Sequence, residues 1–324
     1  VYKILVRGRG ETFDLTPCCV GDVIWTTFKC GNASSLEFTV GRNMGMSFSF
    51  FEGNLVQFFV DGRMVFLGYV FSKERTSDHF VKTLAYDQLR YLKNRDTYNY
   101  SFKTASEVVS MIAADFGLNI GQLDHSGYVI ANRIEENKTL FDIILNAVDL
   151  TFKNTGKYFV LFDKEGKLFF KALDALRLPF ALSANRSNII DFNCKTDIDS
   201  DTFSKVKLFC LNKTKKINRS FVVQSTQGVK DFGVLQYFEK MPDEYNEFQL
   251  KNCAEAILKE KNRITRAFNI ECLASGIGEE AIRGGCGVYV NSLDIGEEVV
   301  SGFMTVSKCV HSFRADKHTY RMWF

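Results

Sequence analysis

Residues 85–118 read AYDQLRYLKNRDTYNYSFKTASEVVSMIAADFGL, and the hydrophobic period changes twice within them. Ala85, Leu89 and Leu92 stand at i, i+4 and i+7, the spacing of one helical face, so a short helical turn is expected there. Tyr98, Tyr100 and Phe102 then alternate with Thr97, Asn99 and Ser101, which is the period of a strand. Thr104 and Glu107 follow at the spacing of a capping box. In that motif the threonine hydroxyl accepts from the backbone N–H three residues on, and the glutamate accepts from the threonine N–H. Behind the cap, Ala105, Val108, Val109, Ile112, Ala113 and Phe116 form one apolar stripe, and Gly117 is placed to end the helix. Strand-rich sequence gives way to helix at this point.

Upstream, LEFTV (36–40), LVQFFV (55–60), MVFLGYV (64–70) and FVKTLAY (80–86) read as strands, and Asp61-Gly62 as a hairpin turn. Downstream, Thr139 to Asp142 opens a second helix with Leu140, Ile143, Ile144, Ala147 and Val148 on its stripe, closed by Asn154 to Gly156. KYFVLF (157–162), a turn at 163–166 and KLFFKA (167–172) make a hairpin. From 186 the chain returns to strands: 205–211 and 219–225 around a polar turn at 212–218, then 264–273, 286–293, 303–313 and 318–324, the last pair joined by a turn at 314–317. One helix interrupts near 243–262, opened by Pro242 and Asp243, with Leu250, Cys253, Ala254, Ile257 and Leu258 as its stripe. The expected class is α+β, mainly β. The expected division is a first β domain at 1–95, an α+β module at 96–185 and a second β domain at 186–324.

The bulk numbers exclude several functions. Lys+Arg number 41 against 38 Asp+Glu in 324 residues, without the basic excess that phosphate neutralisation demands. No run of eighteen apolar residues suits a membrane span, and VYKILVRGRG at the start lacks the pattern of a signal peptide. The nine cysteines include no CxxC and are read mostly as small buried hydrophobes of a reducing compartment. His79, His125, His311 and His318 form no metal motif. His311 and His318 are expected to face each other across the terminal hairpin as partly exposed strand residues. LASGIG (273–278) has leucine where a nucleophile elbow needs glycine, and RGRG (7–10) and RGGCG (283–287) are read as turn glycines. The adjacent acids Glu135-Glu136, Glu279-Glu280 and Glu297-Glu298 are poor acid–base partners, because neighbours on a strand point to opposite faces. No catalytic, cofactor or metal residues are assigned, and no enzyme activity is expected. Tyr86, Leu89, Tyr91, Tyr98 and Tyr100 are expected to form a seam between the first β domain and the α+β module rather than a base-stacking platform.

Residues 85–118 closely resemble the XkdQ/YqbQ-type hub proteins of contractile phage tails and phage-tail-like bacteriocins. So do GYVIANRIEENKTLFDIILNAVDLTFKNTGKYFVLFDKEGKL (127–168) and FFEGNLVQFFVDGRMVFLGYVFSKERTSD (50–78). The wider superfamily includes the N-terminal hub region of VgrG spike proteins, whose two helices Thr104 to Phe116 and Thr139 to Val148 resemble. The resemblance implies a homotrimer in which each chain carries two tube-like β-barrels, so that six barrels match a six-fold tail tube while three-fold symmetry faces the spike. It implies as partners the tail tube or a tube initiator, the central spike and other baseplate proteins. It further implies a place in a virion or tail-like particle assembled in the bacterial host cytoplasm. The rival readings are a tail-associated peptidoglycan hydrolase and a small-barrel binder of single-stranded nucleic acid. The first lacks a Cys-His or Glu-Asp constellation, and the second lacks the charge.

Overall fold

A computed structural model describes residues 1–8, 10–41, 50–75, 79–183, 189–212, 217–241, 245–274, 278, 281–294, 299–314 and 317–324. The chain falls into two units, Val1–Phe192 with Asn269–Phe324, and Asn193–Phe268. The fold is α+β and mainly β.

The first unit begins with β1 (Tyr2–Gly8), β2 (Glu11–Asp14), β3 (Val23–Phe28), β4 (Ser35–Gly41), β5 (Leu55–Val60), β6 (Arg63–Arg75) and β7 (Phe80–Tyr86). Asp61 and Gly62 take φ of 46° and 79°, as the two-residue turn between β5 and β6 requires. Alternation then sorts the side chains: Val56, Phe58 and Val60 of β5 point inward to meet Ile4 and Val6 of β1 and Leu36, Phe38 and Val40 of β4. Gly68 lets β6 and β7 approach, because a Cβ there would stand 2.3 Å from the Tyr86 carbonyl oxygen.

A 3₁₀ turn (Gln88–Lys93) leads into the inserted module: β8 (Arg95–Thr104), α1 (Ala105–Asp115), β9 (Ile120–Leu123), β10 (Val129–Thr139), α2 (Leu140–Thr155), β11 (Phe159–Lys164) and β12 (Lys167–Ala172). Both predicted helix starts are present. Thr104 and Glu107 form the capping box of α1, and the Thr139 hydroxyl accepts from the Asp142 N–H at 3.1 Å. Gly156 ends α2 in the left-handed region at φ 71°. The apolar stripes of the two helices share one core with Tyr98, Tyr100, Phe159 and Phe170.

The chain then runs through β13 (Arg177–Ser183) and β14 (Ile189–Asp197) into the second unit: β15 (Lys205–Asn212), β16 (Ile217–Gln224), α3 (Thr226–Phe232), β17 (Gln236–Met241) and α4 (Glu247–Lys261). β18 (Thr265–Leu273) leads back, followed by β19 (Gly287–Asp294), β20 (Val299–Thr305), β21 (Lys308–Arg314) and β22 (Lys317–Trp323). In the second unit β15 lies between antiparallel β16 and parallel β17, and α4 covers one face. Leu250 and Ala254 of α4 are fully buried there, with Cys253 and Ile257 packed beside them. The cap of α4 is Asn246, boxed with Gln249. Pro242 and Asp243, expected to open it, lie outside the described residues, as do 213–216 and 315–316 of two expected turns.

Two expectations need revision. Residues 303–313 are not one strand. β20 ends at Thr305 and β21 starts at Lys308, because the Val306 N–H donates to Cys286 while the Ser307 N–H donates to Trp323, so the backbone changes partners between them. The late strands also do not keep to themselves. Eleven strands form one sheet in the order β14-β18-β22-β21-β3-β4-β7-β6-β5-β1-β2, and β21 pairs with β3 from Lys308↔Phe28 to Phe313↔Val23. Phe313 accordingly sits in the core of the opening strands. The two compact units meet at 192/193 and 268/269.

Candidate functional site: a polar clasp at the module seam

The residues singled out at the end of β7 do meet, though not as one group. Leu89, Tyr98 and Tyr100 are buried in the helical core, and Tyr86 packs against it. Tyr86 also reaches Phe71 of β6 edge-on, with ring centroids 5.4 Å apart. Tyr91 turns the other way, toward Tyr69 and Phe71 at 6.3 and 6.1 Å. The aromatic side chains thus bridge β6 and the helical module through the 3₁₀ turn. The Tyr98 hydroxyl donates to Asp115 at 2.8 Å, and burial raises its pKa first, that hydrogen bond second.

Beside these rings lies a set of charged and amide groups. Asp87 is 1% exposed and caps the 3₁₀ turn. One of its carboxylate oxygens accepts from the Leu89 N–H at 3.0 Å, the other from the Ser34 N–H at 3.2 Å. Gln88 donates to the Asp163 carboxylate at 2.7 Å and to the Asn119 carbonyl at 3.2 Å, and accepts from the Asn119 N–H at 3.0 Å. Asp163, on β11, also accepts from the Gly166 N–H at 2.9 Å. Arg283 arrives from the loop before β19, donates to the Asp163 carbonyl at 2.8 Å and lies 4.1 Å from the Phe162 ring centroid. Gly284 follows with its N–H donating to the Thr27 hydroxyl at 2.9 Å. A Cβ on Gly284 would stand 2.2 Å from the Phe28 carbonyl carbon. This clasp therefore ties β3, the 3₁₀ turn, the β11–β12 hairpin and the 283–286 loop together.

Its electrostatics follow from burial. Loss of solvent raises the Asp87 pKa, the nearby Asp163 raises it further, and the Ser34 and Arg283 contacts only partly offset them. Burial raises Asp163 as well, against the opposing pull of Gln88, Gly166 and Arg283. Burial lowers the Arg283 pKa, and the two aspartates resist that. The oxygens of both carboxylates are taken up in holding backbone and side-chain donors, so the arrangement is that of a structural joint.

The histidines differ from expectation in exposure. His311 and His318 do face each other across the β21–β22 hairpin, Nδ1 to Nε2 at 2.9 Å. His311 is fully buried rather than partly exposed, because it stacks on Trp25 at 4.9 Å and its Nε2 lies 2.7 Å from the Ile282 carbonyl oxygen. Burial, then His318, depresses its pKa to about 3, so the ring is neutral at physiological pH and Nε2 is the donor to Ile282. Among the described residues no three His, Cys, Asp or Glu side chains are grouped to hold a metal ion, and no helix is long and apolar enough to cross a membrane. Residues 275–277 of LASGIG, Arg9 of RGRG and the pairs Glu279-Glu280 and Glu297-Glu298 lie outside the described residues.

The YQBQ-like family matches residues 23–323, nearly the whole chain. The chain belongs to the YQBQ-like family. Among its relatives in Bacillus subtilis (strain 168), the phage-like element PBSX protein XkdQ is 32% identical over 293 residues, covering 88% of this chain and 86% of XkdQ. The protein YqbQ is 29% identical over 276 residues, covering 84% and 81%. The fold is that of phage tail proteins. It resembles the 43 kDa tail protein of prophage MuSo2 from Shewanella oneidensis with a TM-score of 0.73 at 10% identity, over 99% of this chain and 97% of that one. It resembles a tail protein of Neisseria meningitidis MC58 with a TM-score of 0.72 at 15% identity, over 99% and 95%. In this YQBQ-like chain the sequence singles out the tyrosines Tyr86, Tyr91, Tyr98 and Tyr100 but not the polar groups beside them. Asp87 was visible as a charge but not as a cap, and Asp163 and Arg283 lie 120 residues apart, beyond the reach of any local pattern.

Proposed function

We propose that this YQBQ-like chain is the structural hub of a tail baseplate, a homotrimer that joins a six-fold tail tube to a three-fold central spike. The observation that carries the reading is the eleven-stranded sheet, in which strands from both ends of the sequence run on through β3–β21 and end at β14 and β2. End strands leave backbone donors and acceptors for pairing, and head-to-tail pairing between three copies closes a ring. In this reading residues 1–95 form one tube-like barrel and residues 186–324 form the second. The α+β module then stands outside the ring, held by the clasp and the tyrosine seam. Support also comes from fold likeness to the E. coli c3393 protein, a component of the type VI secretion system described as similar to the T4 tail proteins gp27 and gp5. That likeness has a TM-score of 0.56 at 10% identity, over 99% of this chain and 76% of that one. The partners are a tube or tube-initiator protein, the spike and other baseplate proteins, in a virion or tail-like particle assembled in the host cytoplasm. The test is light scattering on the chain co-expressed with the neighbouring baseplate proteins. Three copies per complex are expected, and a stable dimer overturns the hub.

A further inference from the structure

The sheet of the second unit has two faces of opposite character. α4 packs on Val206, Leu208 and Cys210 of the central strand β15. The strand registers set the alternate residues on the other face, where Lys207 lies between Val222 of β16 and Phe238 of β17, and Phe209 lies next to Lys240. Val222 is 47% and Phe238 57% exposed. Lys205 completes the face one step along β15. Among the described residues, β15 and β16 contain no carboxylate to answer these lysines. Glu239 of β17 points to the α4 side, where it accepts from the Tyr237 hydroxyl at 2.7 Å. Residues 193–268 hold 14 Lys+Arg against 10 Asp+Glu, so the small positive excess of the whole chain, 41 against 38, resides in this unit.

We propose that this open face docks an acidic amphipathic helix of a partner protein. Two strand spacings of about 4.8 Å make a platform roughly 10 Å wide, the diameter of one helix. The same sheet already carries one helix on its other face. Apolar side chains of the incoming helix meet Val222, Phe209 and Phe238, and carboxylates spaced i, i+4 meet Lys205, Lys207 and Lys240. Single-stranded nucleic acid fits less well. Its bases need a succession of open aromatic rings, whereas Phe209 is half-buried and Val222 offers no ring to stack on.

The test uses the purified chain and three fluorescent probes in anisotropy titrations. They are a helical peptide with leucines on one face flanked by glutamates, its counterpart with every glutamate replaced by lysine, and an oligothymidylate. The acidic peptide is expected to bind at least about tenfold more tightly than the lysine peptide, and less tightly as salt is raised. The double substitution K207E/K240E is expected to weaken it at least about tenfold. Phe238→Ser should weaken it too, with the circular dichroism spectrum unchanged for both variants. No binding of the acidic peptide, equal binding of both peptides, indifference to K207E/K240E, or tighter binding of the oligothymidylate overturns the proposal.

Discussion

Asp87 shows how one side chain can set a stability profile. Its pKa is pushed up to about 8 by burial and by Asp163, whereas an unfolded aspartate titrates near about 4. Between those values the native chain holds a proton that the unfolded chain has released. Stability from this site is therefore fully present in acid and is lost as pH rises through that window. Arg283→Met should cost roughly 2–4 kcal/mol at pH 8, where the carboxylates need the cation, and clearly less at pH 5. Asp87→Asn, which keeps an acceptor for the Leu89 N–H, should flatten the pH dependence. Urea unfolding at the two pH values checks both, and an Arg283→Met penalty that is larger at pH 5 would contradict the assignment. Gly68 offers a steric counterpart. Gly68→Ala forces a Cβ against the Tyr86 carbonyl and should cost about 1–3 kcal/mol in the same assay, with neighbouring exposed substitutions near neutral.

At the scale of elements, local chemistry explains what was legible. Thr104 and Glu107 announce α1 because a capping box is written in four consecutive residues, and Thr104→Ala should lose about 1 kcal/mol of stability in thermal melts. Asp61-Gly62 fixes the β5–β6 hairpin for the same reason. The stripes Leu140 to Val148 and Leu250 to Ile257 point to α2 and α4; α2 buries its stripe, and α4 buries Leu250 and Ala254 with Cys253 and Ile257 partly buried beside them. What escaped were elements defined by a distant partner. β3 reads VIWTTF with Val23 and the run Trp25 to Thr27 buried, so no strict alternation betrays it, and its neighbours are β4 on one side and β21 on the other. β10 carries exposed Ile134 beside buried Glu135, which the Lys138 ammonium at 2.7 Å and Arg133 at 3.2 Å satisfy. That inversion hides the strand from a hydropathy reading. The burial of His311 is hidden in the same way, since Trp25 and Ile282, which bury it, are far away in sequence.

The two units of the molecule differ in how much core they own. Among the described residues the second unit gathers a small cluster around Val206, Leu208, Cys210, Leu250 and Ala254, while the first holds larger ones. Hydrogen exchange should therefore release the amides of α4 and β16 well before those of β4 to β7, and equal protection would argue against a weaker second unit. A structural hub should also leave purified peptidoglycan intact in a zymogram, and clear lysis by the pure protein would overturn the non-enzymatic reading. The β3–β21 ladder carries a last consequence, and it concerns the ribosome. The Thr27 hydroxyl donates to the Cys309 carbonyl across 282 residues of chain. At a synthesis rate of about 5–20 residues per second, β3 waits roughly 15–55 s after leaving the exit tunnel before its partner exists. During that interval the edge of β3 that β21 covers lacks its native partner. Mispairing of that edge between copies is therefore expected to increase on crowded polysomes and when translation slows before β21.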